Sequence, residues 1–142
     1  ILFLCVDESN HKAISQASQP LVFHNVVDNR IQSVKEKISD TVNNFNTIDV
    51  LINHAHFKGD PELLKPHSEF FSSFEDYPFD MWKETINVNL NGLFLITKYV
   101  GTVMKTQKSG VIVNTASTYG LVSPNKSIYG DSGINSPISY AV

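Results

Sequence analysis

The chain has 142 residues, 42% apolar and 18% charged, a balance that suits one soluble globular domain able to bury a core. Eleven basic and 14 acidic residues give a net charge of −3 with no block of either sign, which argues against a nucleic-acid or membrane-surface partner. A single cysteine excludes an internal disulfide and points to a reducing, cytoplasmic setting, and no apolar run approaches the ~18 to 20 residues needed to cross a bilayer.

Residues 1–6 are an apolar run followed by Asp7-Glu8-Ser9-Asn10, the pattern of a buried parallel strand giving way to a loop and a short helix over about residues 11–18. A chain that opens inside a strand reads as a piece of a longer protein. Pro20 closes the short helix, and residues 21–27 read as a second strand. Asp28 can cap a helix in which Ile31, Val34, Ile38, Val42 and Phe45 recur at helical spacing, while Lys35, Glu36, Lys37 and Asp40 take the other faces. Residues 48–53 supply a third strand, so strands and helices alternate as a parallel, doubly wound sheet requires.

From His54 to Tyr77 the pattern gives way to a polar, proline-containing loop with aromatics Phe70, Phe71 and Phe74, an excursion of the kind that covers a site. Asp80 can cap a long helix from about Met81 to Lys105, with Trp82, Ile86, Leu90, Leu93, Ile96, Val100 and Val103 on one stripe. Asn89 falls beside that stripe, so its amide needs buried partners. Residues 110–116 read as a fourth, buried strand that delivers Ser117 to the carboxyl edge of the sheet. A long loop over residues 117–136 follows, and Pro137 suits the first turn of a final helix carrying Tyr140. Asn125-Lys126-Ser127 fits a glycosylation pattern, with chance as the default reading. The whole reads as a single partial domain of α/β class.

Four stretches together resemble the short-chain dehydrogenase/reductase family, over essentially the whole chain. They are Asn53-His-Ala-His56 after a strand beginning Ile48-Asp49, Asn87-Val-Asn89-Leu on a long helix, Asn114-Thr-Ala-Ser117 before Gly120, and Ser139-Tyr140 opening a helix. Each is weak alone; four in the right order on the expected elements form a specific signal. The resemblance implies a Rossmann-type sheet, incomplete at both ends here, and a nicotinamide-dependent oxidoreductase that acts on a small alcohol or carbonyl compound as a homo-oligomer. Hydride transfer develops charge on the substrate oxygen, which a proton donor and a fixed hydrogen bond must meet. The family's pattern places Tyr140 as acid/base and Ser117 as the orienting hydroxyl, and gives Asn89 a water that joins a proton relay; without the resemblance, Asn89 reads as a buried amide. A phenol with a pKa of about 10 also needs a nearby cation. The family uses a lysine four residues on, which would be position 144, outside this sequence.

Tyr129 competes with Tyr140, because it follows Ser117 by 12 residues, closer to the family's usual spacing than the 23 residues to Tyr140. Gly133, however, stands where the lysine belongs, and Gly130, Ser132 and Gly133 make a poor helix. Tyr140 is therefore taken as catalytic, with residues 123–135 as an insertion on the substrate side.

By the same resemblance, Asp7, Asn25, Val26, Asn53, Ala55 and His56 bind the cofactor. Asp7 with Glu8 and no adjacent arginine favours NAD over NADP, since an acid there accepts from the adenosine ribose and repels a 2′-phosphate. Asn25 replaces a more usual acid, and His54 and His56 replace an asparagine and a glycine. Two histidines without a third ligand give no expectation of a metal. A glycine-rich turn that cradles the pyrophosphate is implied ahead of Ile1; none of the seven glycines, at 59, 92, 101, 110, 120, 130 and 133, builds one. Tyr119-Gly-Leu-Val-Ser-Pro-Asn125, Ile128-Tyr-Gly130 and Asn135-Ser-Pro137 are similar to a subgroup linked to bacterial surface-sugar and flagellin-glycan biosynthesis, which implies a sugar-like substrate. The 142-residue chain alone is expected to be inactive. The rival reading is a truncated relative that binds a partner or ligand without catalysis.

Overall fold

The computed structural model describes residues 2–5, 21–22, 30–54, 56–57 and 64–140. The chain divides into two compact units, Ile1–Phe57 with Val88–Thr115, and Lys58–Asn87 with Ala116–Val142.

The first unit is built on four parallel strands: β1 (Leu2–Cys5), β2 (Leu21–Val22), β3 (Val50–Asn53) and β4 (Val111–Asn114), in the order β2-β1-β3-β4. With the helices that alternate with them, they form the expected α/β Rossmann-type sheet in incomplete form. The order extends from β1 to β2 in one direction and from β3 to β4 in the other. The point of reversal therefore lies between β1 and β3, and the crevice at the carboxyl ends of strands at such a point is where open α/β sheets take ligands. β3 and β4 are in register from Val50↔Val111 to Asn53↔Asn114, so both strands end on asparagine side by side.

Helix α1 (Arg30–Phe45) and helix α3 (Gly92–Gln107) pack together over one face of this sheet. Their Val34, Ile38, Ile96, Val100 and Met104 join Ile48 and Leu51 in the core, with Val42, Tyr99, Val103 and Ile112 against its edge. Ile31 and Phe45, at the two ends of the α1 stripe, are exposed. The amide of Gln107 ties the helix end to the strand start: Nε2 donates to the Ile48 carbonyl at 3.1 Å and Oε1 accepts from the Ile48 N–H at 3.0 Å. α3 stops at Lys108, which adopts a left-handed conformation (φ 58°) while Ser109 N–H bonds back to the Met104 carbonyl at 3.2 Å, a C-terminal cap of familiar type.

Two elements depart from expectation. β4 is shorter than residues 110–116 and is not buried, with Val111 57% and Val113 46% exposed. Among the described strands it stands last in the order, and its alternate residue Ile112 packs against the core. The long helix over residues 81–105 is instead α2 (Phe79–Ile86), a π-helical turn (Asn87–Asn91) and α3. The wider turn breaks the 3.6-residue period and carries Leu90, expected on the apolar stripe, to 48% exposure. Pro78 holds the N-cap position, and Asp80 sits in the first turn, paired with Lys83 at 2.7 Å on the surface.

Among its described residues the second unit contains α2 and the short 3-10 turns Glu69–Phe71, Thr118–Gly120, Lys126–Tyr129 and Ile138–Tyr140. Phe70 is its buried aromatic, with Phe71 edge-on at 5.3 Å, whereas Phe74 is exposed. The loop that follows residue 64 is pinned to the loop before Pro137 by the His67 N–H, which donates to the Gly133 carbonyl at 2.7 Å.

Candidate active site

In the first unit the carboxyl ends of β3 and β4 gather polar groups that their apolar interiors exclude. Asn53, 3% exposed, donates through Nδ2 to Asn114 Oδ1 at 2.8 Å and to Thr97 Oγ1 at 3.2 Å. Its carbonyl accepts from the Thr115 N–H at 2.9 Å, while its buried Oδ1 has no partner among the described residues. An unmatched buried acceptor costs about 1–3 kcal/mol and is a point at which a ligand or water donor is favoured. One residue on, the exposed His54 meets Thr115 through Nδ1 and Oγ1 at 2.9 Å.

Asn89 lies in the π-helical turn and is half-buried, and its amide closes on the backbone of Phe57. Oδ1 accepts from the Phe57 N–H at 2.7 Å and Nδ2 donates to the Phe57 carbonyl at 3.1 Å. Nδ2 also faces His56 Nδ1 at 3.3 Å, which suits the imidazole tautomer with its proton on Nε2. The need for partners read from the stripe is thus met by a loop end 32 residues away, and the amide's acceptor and a donor are committed to holding it.

Ser117 and Tyr140 belong to the second unit. Ser117 caps the turn Thr118–Gly120 by accepting the Tyr119 N–H at 3.1 Å, which leaves its hydroxyl proton to be donated elsewhere. The Tyr119 ring then meets the Tyr140 ring edge-on, centroids 6.1 Å apart at 80°. Tyr119 therefore links the two expected site residues. Tyr140 is 37% exposed, and over the described residues the expected helix start is a 3-10 turn closed by its N–H on the Pro137 carbonyl at 3.0 Å. Ser139, buried in the same turn, has its hydroxyl 3.4 Å from that of Tyr77. Tyr129 is half-buried, and its phenol is pushed above the usual value by that burial first and then by the neighbouring Tyr119, while Ser136 pulls the other way and Tyr140 adds to the rise.

Of the residues expected to hold a cofactor, Asn53 and His56 stand at the β3 end, and Asp7, Asn25, Val26 and Ala55 lie outside the described residues. The groups present suit the nicotinamide side of a dinucleotide: strand ends at a topological reversal and one unsatisfied buried acceptor. Sequence reasoning did not single out Thr97, Tyr119 or Ser136. The signal for Tyr119 in the sequence is its place two residues after Ser117. Among the described residues no three His, Cys, Asp or Glu side chains come together as a metal would require, and no helix is long and apolar enough to cross a membrane.

Residues 4–132 match the family model for short chain dehydrogenase. The 3-oxoacyl-[acyl-carrier-protein] reductase of Synechocystis sp. is 38% identical over 89 residues, which are 63% of this chain and 32% of that protein. Crystalline NAD+-bound xylitol dehydrogenase shares 29% identity at a TM-score of 0.61, over 78% of this chain and 35% of the other. A short chain dehydrogenase from Leptospira borgpetersenii with bound NAD+ shares 28% identity at a TM-score of 0.70, over 97% of this chain and 48% of the other. The matched part thus spans between a third and a half of these relatives.

Proposed function

The chain belongs to the short-chain dehydrogenase family, and from that premise we propose that it carries the central part of an NAD-dependent oxidoreductase for small, polar alcohols and carbonyl compounds. The observation that carries the reading is the Ser117–Tyr119–Tyr140 arrangement: a hydroxyl proton left to donate and a partly exposed phenol, joined through one intervening residue. In reduction, the carbonyl oxygen gains negative charge, takes the phenol proton of Tyr140 and is steadied by the Ser117 O–H. In oxidation, the Tyr140 phenolate takes the alcohol proton and Ser117 holds the same oxygen. The nicotinamide, when bound, supplies or accepts the hydride. Tyr129 suits the acid/base role poorly, because its surroundings favour the neutral phenol.

Asp7, Asn25, Val26, Asn53, Ala55 and His56 are the residues assigned to the dinucleotide, with Asp7 favouring NAD over NADP. NAD+ in both similar structures supports that choice. A sugar-like substrate is supported by the sequence around Tyr119 and Ile128 and by the polyol acted on by one structural relative. Assembly as a homo-oligomer is supported by the exposed Leu90 and Phe94 near the start of α3. Non-catalytic binding is the second reading, favoured by one observation: the Asn89 amide is committed to Phe57 and not left for a relay water.

The test uses the full-length protein with NADH and a panel of ketoses and aldoses, and with NAD and polyols in reverse. Tyr140→Phe is expected to lower kcat by roughly 10²- to 10⁴-fold and Ser117→Ala by roughly tenfold or more, with NADH affinity little changed. NADH binding without turnover on any such substrate, in either direction, favours the binding reading instead.

A further inference from the structure

Tyr140 follows Ser117 by 23 residues, so nothing local in the chain sets the distance between a hydroxyl and a phenol that must meet one substrate oxygen. We propose that Tyr119 is a positioning residue for this pair: its backbone N–H holds Ser117 Oγ, and its ring, packed edge-on against the Tyr140 ring, selects the direction in which the phenol points. The inference rests on the reading in which Tyr140 is the acid/base and Ser117 the orienting hydroxyl.

On the Ser117 side the link runs through the backbone. Ser117 Oγ accepts from the Tyr119 N–H at 3.1 Å, and the Gly120 N–H donates to the Ser117 carbonyl at 3.0 Å. The Leu121 and Val122 N–H groups both close on the Thr118 carbonyl, at 2.9 and 3.1 Å, so the residues on either side of Tyr119 are bonded into one turn. The Tyr119 Cα therefore keeps a set place relative to Ser117 Oγ, and the lone pair spent on that N–H turns the serine O–H elsewhere. On the Tyr140 side the backbone is fixed as well. Pro137 brings a preset φ, its carbonyl accepts the Tyr140 N–H at 3.0 Å, and the buried Ser139 has its hydroxyl 3.4 Å from that of Tyr77.

What these bonds leave open is the Tyr140 side chain. It stands on a turn of three residues and is 37% exposed, so burial alone does not choose its rotamer. The Tyr119 ring meets it with centroids 6.1 Å apart at 80°, inside the range over which edge-on aromatic pairs attract. Tyr119 is half-buried while Thr118 and Gly120, its neighbours in the turn, are exposed, the state of a ring packed inward and not left in solvent. An edge-on pair shifts the population of the chosen rotamer several-fold, and an acid/base group out of place loses turnover in the same proportion. The contact is one of rings, so a phenylalanine at 119 can make it and an alanine cannot.

The experiment compares kcat, KM, NADH affinity and melting temperature of the full-length protein carrying Tyr119→Ala, Tyr119→Leu or Tyr119→Phe, each alone and combined with Tyr140→Phe. Every variant keeps the backbone N–H to Ser117, so only the ring is varied. Tyr119→Ala and Tyr119→Leu are expected to lower kcat by roughly three- to tenfold with NADH affinity little changed, and Tyr119→Phe to stay within about twofold of the unsubstituted enzyme. Leucine keeps most of the bulk, so Tyr119→Leu carries the test if Tyr119→Ala unfolds the turn. In the Tyr140→Phe background the residual rate is expected not to depend on residue 119, because the ring acts through the Tyr140 phenol. Undiminished kcat in Tyr119→Ala and Tyr119→Leu overturns the proposal. So does a Tyr119→Phe enzyme as slow as Tyr119→Ala, a rise in substrate KM alone, a loss that comes with weakened NADH binding, or one that persists in the Tyr140→Phe background. Tyr140→Phe alone separates this from the underlying reading: if it loses turnover while Tyr119→Ala and Tyr119→Leu are normal, only the positioning role fails. If Tyr140→Phe turns over normally, the acid/base assignment itself fails.

Discussion

A phenol that serves as acid and base near neutrality must ionise more readily than a free one, and Tyr129 is shifted in the opposite direction. The sign of its effect on stability follows. The unfolded chain loses the phenolic proton at about pH 10, while the folded chain still holds it, so stability is full below about pH 10 and falls as pH rises toward the raised folded value. Tyr129→Phe is expected to show a shallower decline in melting temperature above about pH 10. At the same scale, the sequence indicated that Asn89 needed buried partners, because it sat beside an apolar stripe. It could not say which, since Phe57 comes near only once the strand and the helix are packed. Asn89→Ala leaves a part-buried N–H and carbonyl unpaired, and is expected to cost about 1–3 kcal/mol in denaturant unfolding.

Among elements, periodicity found α1 and α3 but not the π-helical turn before α3, because a stripe is blind to one extra residue in a turn until a side chain is seen facing out. An apolar run likewise marked β4 without telling whether its side chains are covered; Val111 and Val113, both exposed, are as apolar as buried valines. The junction from α3 to β4 was the least legible part, since its tightness comes from packing. Gly110 (φ 153°) passes so near Met104 that an added Cβ would collide with that side chain. Gly110→Ala is therefore expected to destabilise by about 1–3 kcal/mol, with a lower urea midpoint and an unchanged m-value. Restoration of the midpoint by a second change, Met104→Ala, would not be expected, because Met104 also fills the core.

At the scale of the molecule, alternating strand and helix patterns were enough to fix a parallel α/β sheet, whereas strand order was not, since no pattern within a strand names its neighbours. The consequence reaches function through the reversal between β1 and β3. A dinucleotide bound there needs backbone N–H groups around its pyrophosphate, which in sheets of this kind a glycine-rich turn provides. Gly92 and Gly101 lie within α3, Gly110 precedes β4, and Gly120, Gly130 and Gly133 belong to the second unit. Only strand-end groups such as Asn53 and His56 remain to hold a cofactor in the described residues, together with whatever Asp7 and its neighbours add. The isolated 142-residue chain is thus expected to give no enhancement of NADH fluorescence at concentrations that saturate the full-length protein, and no hydride transfer. Sustained turnover by the isolated chain, abolished by Tyr140→Phe, would show that the strand ends alone hold the nicotinamide well enough for chemistry.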